Sequence, residues 1–546
     1  MELFIDHPYL VLPVNQNAKL KKILFYQQDH LVYELDAQID MYHPQYDYYI
    51  DVNHLRDMNL RIEIEPDMDF TFSLADTIPD KLTFYANEEE TAASVIYQET
   101  YRPNIHFTAR MGWLNDPNGL YFLNGHYHLF FQHNPAGVVW GNMHWGHAVS
   151  EDLIHWKELR PALYPDETGT MFSGCAYVDH KNASGLGTNG QLPVLLYYTA
   201  AGNTSRLSAD RAFTQCLAYS TEAGETLIKY KHNPLIKQVA EGNRDPKVVY
   251  CPELEQYLMA LYLEKSDYML LSSDNLIDWQ EMQRLELEGD DECPDFYRLQ
   301  VENEPGVCKW VFAGASDYYL VGSVSKEKKA FIPEQPVQRY YHGKRNSYAA
   351  QTFNNTGERT IRVTWQAVHC PGSPFECQMS LPCDVSLVKI DQRYYLKSEP
   401  VPESKGLRMK RLSWQKPDIE SDTLCLAASL EQRAYELMIR TQNRKQVFQM
   451  SLFGITVHVD AENNQISLNK EQIPLSLTSD QLEIRLMIDT CGIELFADKG
   501  LIYAAQLHIS DYNLNRLMLT ADQETCIDEI RLYPLKNIWT DAEVIE

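Results

Sequence analysis

A chain of 546 residues exceeds what one ordinary core accommodates, so its length predicts two or three domains. Its 48 basic and 76 acidic residues leave a net charge of −28, which repels phosphate backbones and anionic membrane surfaces. Nucleic acid and membrane are therefore excluded as expected partners, and neutral solutes favoured.

The chain opens "MELFIDHPYLVLPVNQNAKLKK", where acidic residues precede a short apolar run broken by Pro13. No signal peptide is read there, and no later stretch has the length and apolarity of a membrane-spanning helix. Strand-like runs follow at once, "YDYYIDV" and "LRIEIEP", predicting a β-rich module over residues 1–100. Its end is placed in "NEEETAASVIYQETYRPNIHF", read as an acidic, helical connector.

Next comes "GWLNDPNGLYFLNGHYHLFFQHNP", residues 112–135. Asp-Pro-Asn-Gly is a strong turn signal, since proline fixes φ and Asn-Gly tolerates the left-handed region. Trp113 and Leu114 before it and an apolar strand after it predict that Pro117 and Gly119 end a strand, leaving Asn115 and Asp116 facing a cavity. "HWGH" (His144, His147) offers two imidazoles but no metal-site spacing, so both are read as strand histidines near a polar surface and no metal or cofactor is expected.

Three stretches share a serine, polar turn residues, Leu-Ile and an aromatic: "SEDLIHW" at 150–156, "STEAGETLIKY" at 220–230 and "SDNLIDW" at 273–279. Their spacing suits hairpin turns of successive four-stranded propeller blades. Two further acidic sites lie among these strands. "EGNRDPKVVY" carries Arg244 and Asp245 with the same Asp-Pro-strand order as Asp116, and "GDDECPDFYRL" carries Glu292 at the edge of an apolar segment. A carboxyl in such a place has its pKa raised by desolvation, as a general acid requires. Prolines and charge gather between 388 and 415, predicting a second boundary near 395. The alternating strands that follow, such as "ITVHVD", predict a C-terminal β-sandwich over 396–546. The 11 cysteines, odd in number and without a CxxC pair, predict reduced thiols in a cytoplasm.

In combination and order, these motifs resemble glycoside hydrolase family 32, the invertases, inulinases and levanases, from about residue 101 to the end. "WLNDPNG" resembles the signature holding the nucleophile, which implies that role for Asp116. "RDP" is similar to the motif of the transition-state stabiliser, implying Asp245, and "ECPDF" resembles the acid/base motif, implying Glu292. The resemblance also implies a fructosyl subsite lined by Asn115, Gln132, Trp140, Phe172, Ser173 and Arg244.

The fold it implies is all-β: a five-bladed propeller over 101–395, then the sandwich. The activity it implies is retaining, exo-acting hydrolysis of terminal β-fructofuranosides in fructans or fructo-oligosaccharides. Fructosyl transfer, difructose anhydride formation and a sucrose preference are the alternatives within that chemistry, and a non-catalytic carbohydrate-binding propeller is the alternative outside it. The sequence departs from the family pattern at Phe172, at Cys383 and Asp384, and at Asn346 and Ser347 beside Tyr348, positions expected to shape the pocket rim. For the N-terminal module four roles stand open: an extended binding surface, a narrowed funnel, a homodimer contact, or a structural cap.

Overall fold

A computed structural model describes the chain except residues 87–89, 189, 225, 343–345, 418–422, 442–445, 476–480, 522–524 and 541–546. Among the described residues the helical elements are two short 3-10 turns, Asn53–Leu55 and Pro402–Leu407; the remaining regular structure is strand. The protein is all-β.

Residues 112–400 form five successive antiparallel sheets, each built around four strands in sequence order. Their first strands are Gly112–Leu123, Thr170–Val178, Arg244–Cys251, Asp295–Gln300 and Tyr348–Thr352, and each packs against the next. The fifth returns to the first: Tyr121 bridges Asn354, and Phe122 N donates to Asn354 O at 3.0 Å. Val194–Ala201 explains the middle strands, because all eight residues are buried. Val194, Leu196, Tyr198 and Ala200 enter one apolar cluster, and Leu195 and Tyr197 enter the next. A strand lying between two neighbouring sheets buries both faces, so its sequence is largely apolar rather than alternating. Each such Leu or Val contributes about 1.5–3 kcal/mol of transfer free energy.

The three serine-containing repeats occupy equivalent places, each linking the third strand of a sheet to the fourth. In each the serine hydroxyl caps the turn: Ser150 Oγ accepts from Asp152 N, Ser220 Oγ from Glu222 N and Gly224 N, and Ser273 Oγ from Asn275 N and Leu276 N. A hydroxyl that satisfies backbone donors in a tight turn is the physical content of the repeat.

Before these sheets, residues 2–95 form a four-stranded and a five-stranded sheet around a core that also takes in Met111 and Ala136. Of the stretch read as a helical connector, residues 87–89 lie outside the described residues, and Glu90–Val95 is instead a strand, paired antiparallel with the preceding Lys81–Ala86. Pairing onto an existing sheet overrides the helical preference of the acidic residues. After the five sheets, a seven-stranded and a six-stranded sheet share one apolar core to which Leu437 and Ile439 contribute from one and Met450 and Val457 from the other. The fifth sheet's last strand, Arg393–Pro400, runs past residue 395, and Leu412–Gln415 already belongs to the seven-stranded sheet.

Candidate active site

The first strands of the five sheets share a departure from regular pairing at or just before their first residues. In the first, Leu114 pairs with His133 and Pro117 with Phe131, so Asn115 and Asp116 together oppose Gln132. The register also shifts at Phe172/Gly174, at Arg244/Lys247 and at Tyr348/Gln351. Ahead of the fourth strand, Glu292 and Cys293 take φ of 59° and 35°, and Asp245 in the third takes 63°. Bulges and left-handed residues turn side chains away from the alternation of a strand, and left-handed backbone outside glycine is strain that a surrounding fold must hold. Here they aim Asp116, Ser173, Asp245, Glu292 and Tyr348 to a common place.

Asp-Pro-Asn-Gly is therefore not the turn its composition spells. Gly112–Leu123 is one continuous strand carrying two bulges. It pairs on one side with His126–Asn134 and on the other, in parallel, with Phe375–Glu376, and this long-range pairing overrides the local turn preference.

The acids are tightly connected. Ser173 Oγ donates to Asp116 Oδ2 at 2.6 Å, and Asn115 Nδ2 to Asp116 Oδ1 at 3.1 Å. The Cys293 thiol lies 3.6 Å from Asp116 Oδ2 and 3.5 Å from Asp245 Oδ2, while Cys293 N donates to the same Asp245 oxygen at 3.0 Å. Arg244 Nη2 donates to Glu292 Oε1 at 2.5 Å, its Nε lies 3.7 Å from Asp245 Oδ2, and its guanidinium rests over the Tyr262 ring. Tyr348 OH donates to Glu292 Oε2 at 2.6 Å. Below the acids, Lys247 pairs with Asp295 at 3.1 Å and donates to Thr352 O at 2.7 Å, tying the third, fourth and fifth first strands together.

A chain whose residues 106–400 match the model described as the glycosyl hydrolases family 32 N-terminal domain shares that family's sequence over more than half its length. It belongs to glycoside hydrolase family 32. The family 32 chain is 29% identical to a levanase of Bacillus subtilis over 508 residues, covering 82% of this chain and 72% of that one. It is 35% identical to a fructan beta-fructosidase of Streptococcus mutans over 344 residues, covering 58% of this chain and 23% of the relative. The exo-inulinase structure from Aspergillus awamori superposes with a TM-score of 0.73 at 23% identity, covering 81% of this chain and all of that one.

Electrostatics in this glycoside hydrolase follow from crowding. Burial raises the Asp116 carboxyl and the charge of Glu292 adds to it, while the bonds from Ser173 and Asn115 oppose the rise. Burial pushes Asp245 up to about 7; Arg244 opposes this, and the charges of Glu292 and Asp116 reinforce it. Burial and the neighbouring carboxyls thus act together to raise both Asp116 and Asp245.

The remaining expected residues sort by depth. Gln132 is 2% exposed, and its Nε2 has no hydrogen-bond partner among the described residues. Phe172 is half-buried and meets Trp140 edge-on at 5.9 Å and Phe213 at 5.6 Å. Trp140 is 56% exposed, on the loop between Asn134 and His144. That loop is held from the N-terminal module, since Asn142 exchanges hydrogen bonds of 2.7 Å with both backbone groups of Asp36. His144 and His147 are strand residues, as expected, but both are buried rather than near a polar surface: His144 Nε2 meets Tyr33 OH at 2.7 Å and His147 Nε2 meets His128 Nδ1 at 3.0 Å. Of the residues expected at the rim, Tyr348 meets Glu292, while its neighbours Ser347 and Asn346 turn elsewhere, Ser347 Oγ to Thr364 Oγ1 at 2.6 Å and Asn346 Nδ2 donating to Ala505 O at 3.4 Å. Cys383 is buried in the fifth sheet and Asp384 pairs with Arg359 at 2.8 Å, within that sheet rather than at the rim. Sequence reasoning passed over Cys293, whose signal was its place directly after Glu292.

Proposed function

We propose that this glycoside hydrolase is a retaining exo-β-fructofuranosidase, releasing fructose from the ends of β-fructans or fructo-oligosaccharides. The observation that carries the reading is the convergence of Asp116 and Asp245 on one thiol, with Glu292 joined to Asp245 through Arg244. A retaining glycosidase needs one ionised carboxylate to attack and one carboxylic acid to protonate the leaving oxygen.

In this reading Asp116 attacks C2 of the terminal fructofuranosyl unit while Glu292 protonates the departing alcohol, leaving a fructosyl ester on Asp116. Glu292 then takes a proton from water, whose oxygen attacks C2 and frees Asp116. The Glu292 side chain is 34% exposed against 7% for Asp245, which supports Glu292 as the group that reaches the leaving oxygen. Asp245, as its carboxylate, stabilises the positive charge that develops on the ring. The names of the levanase, the fructan beta-fructosidase and the exo-inulinase support fructans as the substrate class.

The five sheets of residues 112–400 are read as the blades of a propeller with the acids at its axis, the two C-terminal sheets as a β-sandwich, and residues 1–100 as an accessory module. The cytoplasmic location inferred from the cysteine pattern belongs to the same proposal, and fractionation of the native cell tests it. The activity is tested by following products over time from sucrose, inulin-type and levan-type oligosaccharides, beside an Asp116→Asn control. Fructose released one unit at a time, and absent from the control, is the expected result. Larger or cyclic products would replace hydrolysis with transfer, and no product from any substrate would refute the reading.

A further inference from the structure

Where the N-terminal module meets the first sheet, a cleft of about 240 Å³ opens to solvent, apart from the three acids. Its walls carry Tyr9, Tyr49 and Asp51 from the module, and Arg110, Glu158 and Arg160 from the approach to and the outer edge of the first sheet. Asp51 is only 5% exposed. Its Oδ1 accepts from Asn53 N and Tyr164 OH at 3.0 Å each, but its Oδ2 has no hydrogen-bond partner among the described residues. Arg160 Nε lies 3.7 Å from that oxygen, in ion-pair range but beyond hydrogen-bond reach. Glu158 Oε2 accepts from Arg110 N at 2.5 Å, and the Arg160 guanidinium stands 5.6 Å from the centre of the Tyr9 ring.

A buried carboxylate oxygen without a donor is costly to keep, and a donor from a ligand removes the cost. The two acidic side chains are balanced by two arginines, so the cleft neither attracts nor repels a charge strongly and suits a neutral ligand. Tyrosine rings offer flat apolar faces beside these polar groups, the mixture that a sugar ring presents in reverse. Small-molecule sites of about 300–1,000 Å³ take drug-sized ligands, so this smaller cleft matches one sugar ring.

We propose that this cleft is a second, non-catalytic carbohydrate site, which takes one ring of a neutral oligosaccharide with Asp51 Oδ2 accepting from a ring hydroxyl. It adjoins the catalytic strand, since Arg110 and Met111 lead directly into Gly112–Leu123. A chain held there stays beside the site that shortens it. The choice of fructan as probe rests on the proposed function; the site itself does not.

The test is calorimetric titration of the full chain carrying Asp116→Asn, which does not consume the ligand, with β-2,1 and β-2,6 fructotetraose and separately with fructose and glucose. Two binding events per chain are expected. Arg160→Ala and Tyr9→Ala, at positions outside the core, should each weaken one event about tenfold and leave the other unchanged. A single event, or two events both indifferent to Tyr9 and Arg160, would overturn the proposal. Cleft binding that persists in a protein hydrolysing no β-fructoside would refute the catalytic reading alone.

Discussion

Gln132→Met separates binding from folding at one atom. In the free protein the Gln132 amide nitrogen is buried without a partner, opposite the bulge that carries Asp116. An unsatisfied buried donor costs about 1–3 kcal/mol, whereas a near-isosteric apolar replacement costs less than about 1.5 kcal/mol. The free variant should therefore match or exceed the wild type in stability, by up to about 2 kcal/mol. If the amide instead awaits a sugar hydroxyl, the variant forfeits a hydrogen bond worth about 1 kcal/mol, roughly fivefold in affinity. The loss grows where the hydroxyl is left unpaired in the closed site. Urea denaturation with and without fructose, together with kcat/KM on a fructo-oligosaccharide, measures both sides. The expected pattern is an unchanged or higher midpoint, a smaller stabilisation by fructose and kcat/KM reduced at least fivefold. A lowered midpoint with unchanged kcat/KM would show that Gln132 serves the fold and not the substrate.

Three further outcomes follow from named contacts. Arg244→Met removes the charge that holds the Asp245 carboxyl down, so Asp245 should rise beyond about 7 and the acid limb of the kcat/KM profile should move to higher pH; an unmoved limb would separate Asp245 from the rate. At Gly174, an added Cβ would stand 1.9 Å from Tyr197 O, so Gly174→Ala must displace the strand that presents Ser173 to Asp116. Overpacking against backbone costs about 1–3 kcal/mol, and a variant with wild-type melting and activity would contradict the geometry. The third concerns His106 Nδ1, which meets Asp489 Oδ2 at 2.7 Å where the chain entering the first sheet touches the C-terminal sheets. Although burial disfavours the imidazolium, Asp489 and Glu494 raise His106 to about 9, and His106 helps hold Asp489 below its usual range. Stability from His106 should be full below pH 6.5 and lost as pH rises through about 9, and that from Asp489 full above pH 3.8 and lost as pH falls below it. Asp489→Asn should flatten both limbs of a plot of denaturation midpoint against pH, and curves that stay parallel to the wild type would refute the pairing.

The acids themselves were legible because their chemistry constrains short stretches around them: "NDPNG", "RDP" and "ECPDF" each spell a carboxylate at a strand edge. Their convergence was implied by the family resemblance alone, and the contacts of Tyr348 and Cys293 with them were not legible, since Tyr348 lies 56 residues from Glu292 and Cys293 lies 177 from Asp116, separations only tertiary structure closes. Local preference misled in two places. Asp116 and Pro117 have turn chemistry but lie in a strand paired on both sides, and Glu90–Val95 follows acidic residues yet joins a sheet. The serine repeat was readable because a hydroxyl capping a turn is a local device. The hold of the N-terminal module on the Trp140 loop had no local signal, because Asn142 bonds to the backbone of Asp36, whose side chain it does not need.

The central claim is that Asp116 forms a covalent fructosyl intermediate which Glu292 helps to form and to resolve. Its most direct measurement is the anomeric configuration of the methyl fructofuranoside formed when an inulin-type or levan-type oligosaccharide is cleaved in water containing methanol. Two successive displacements at C2 predict methyl β-fructofuranoside, and none from Asp116→Asn. Methyl α-fructofuranoside, or a β product that persists in Asp116→Asn, would contradict the account.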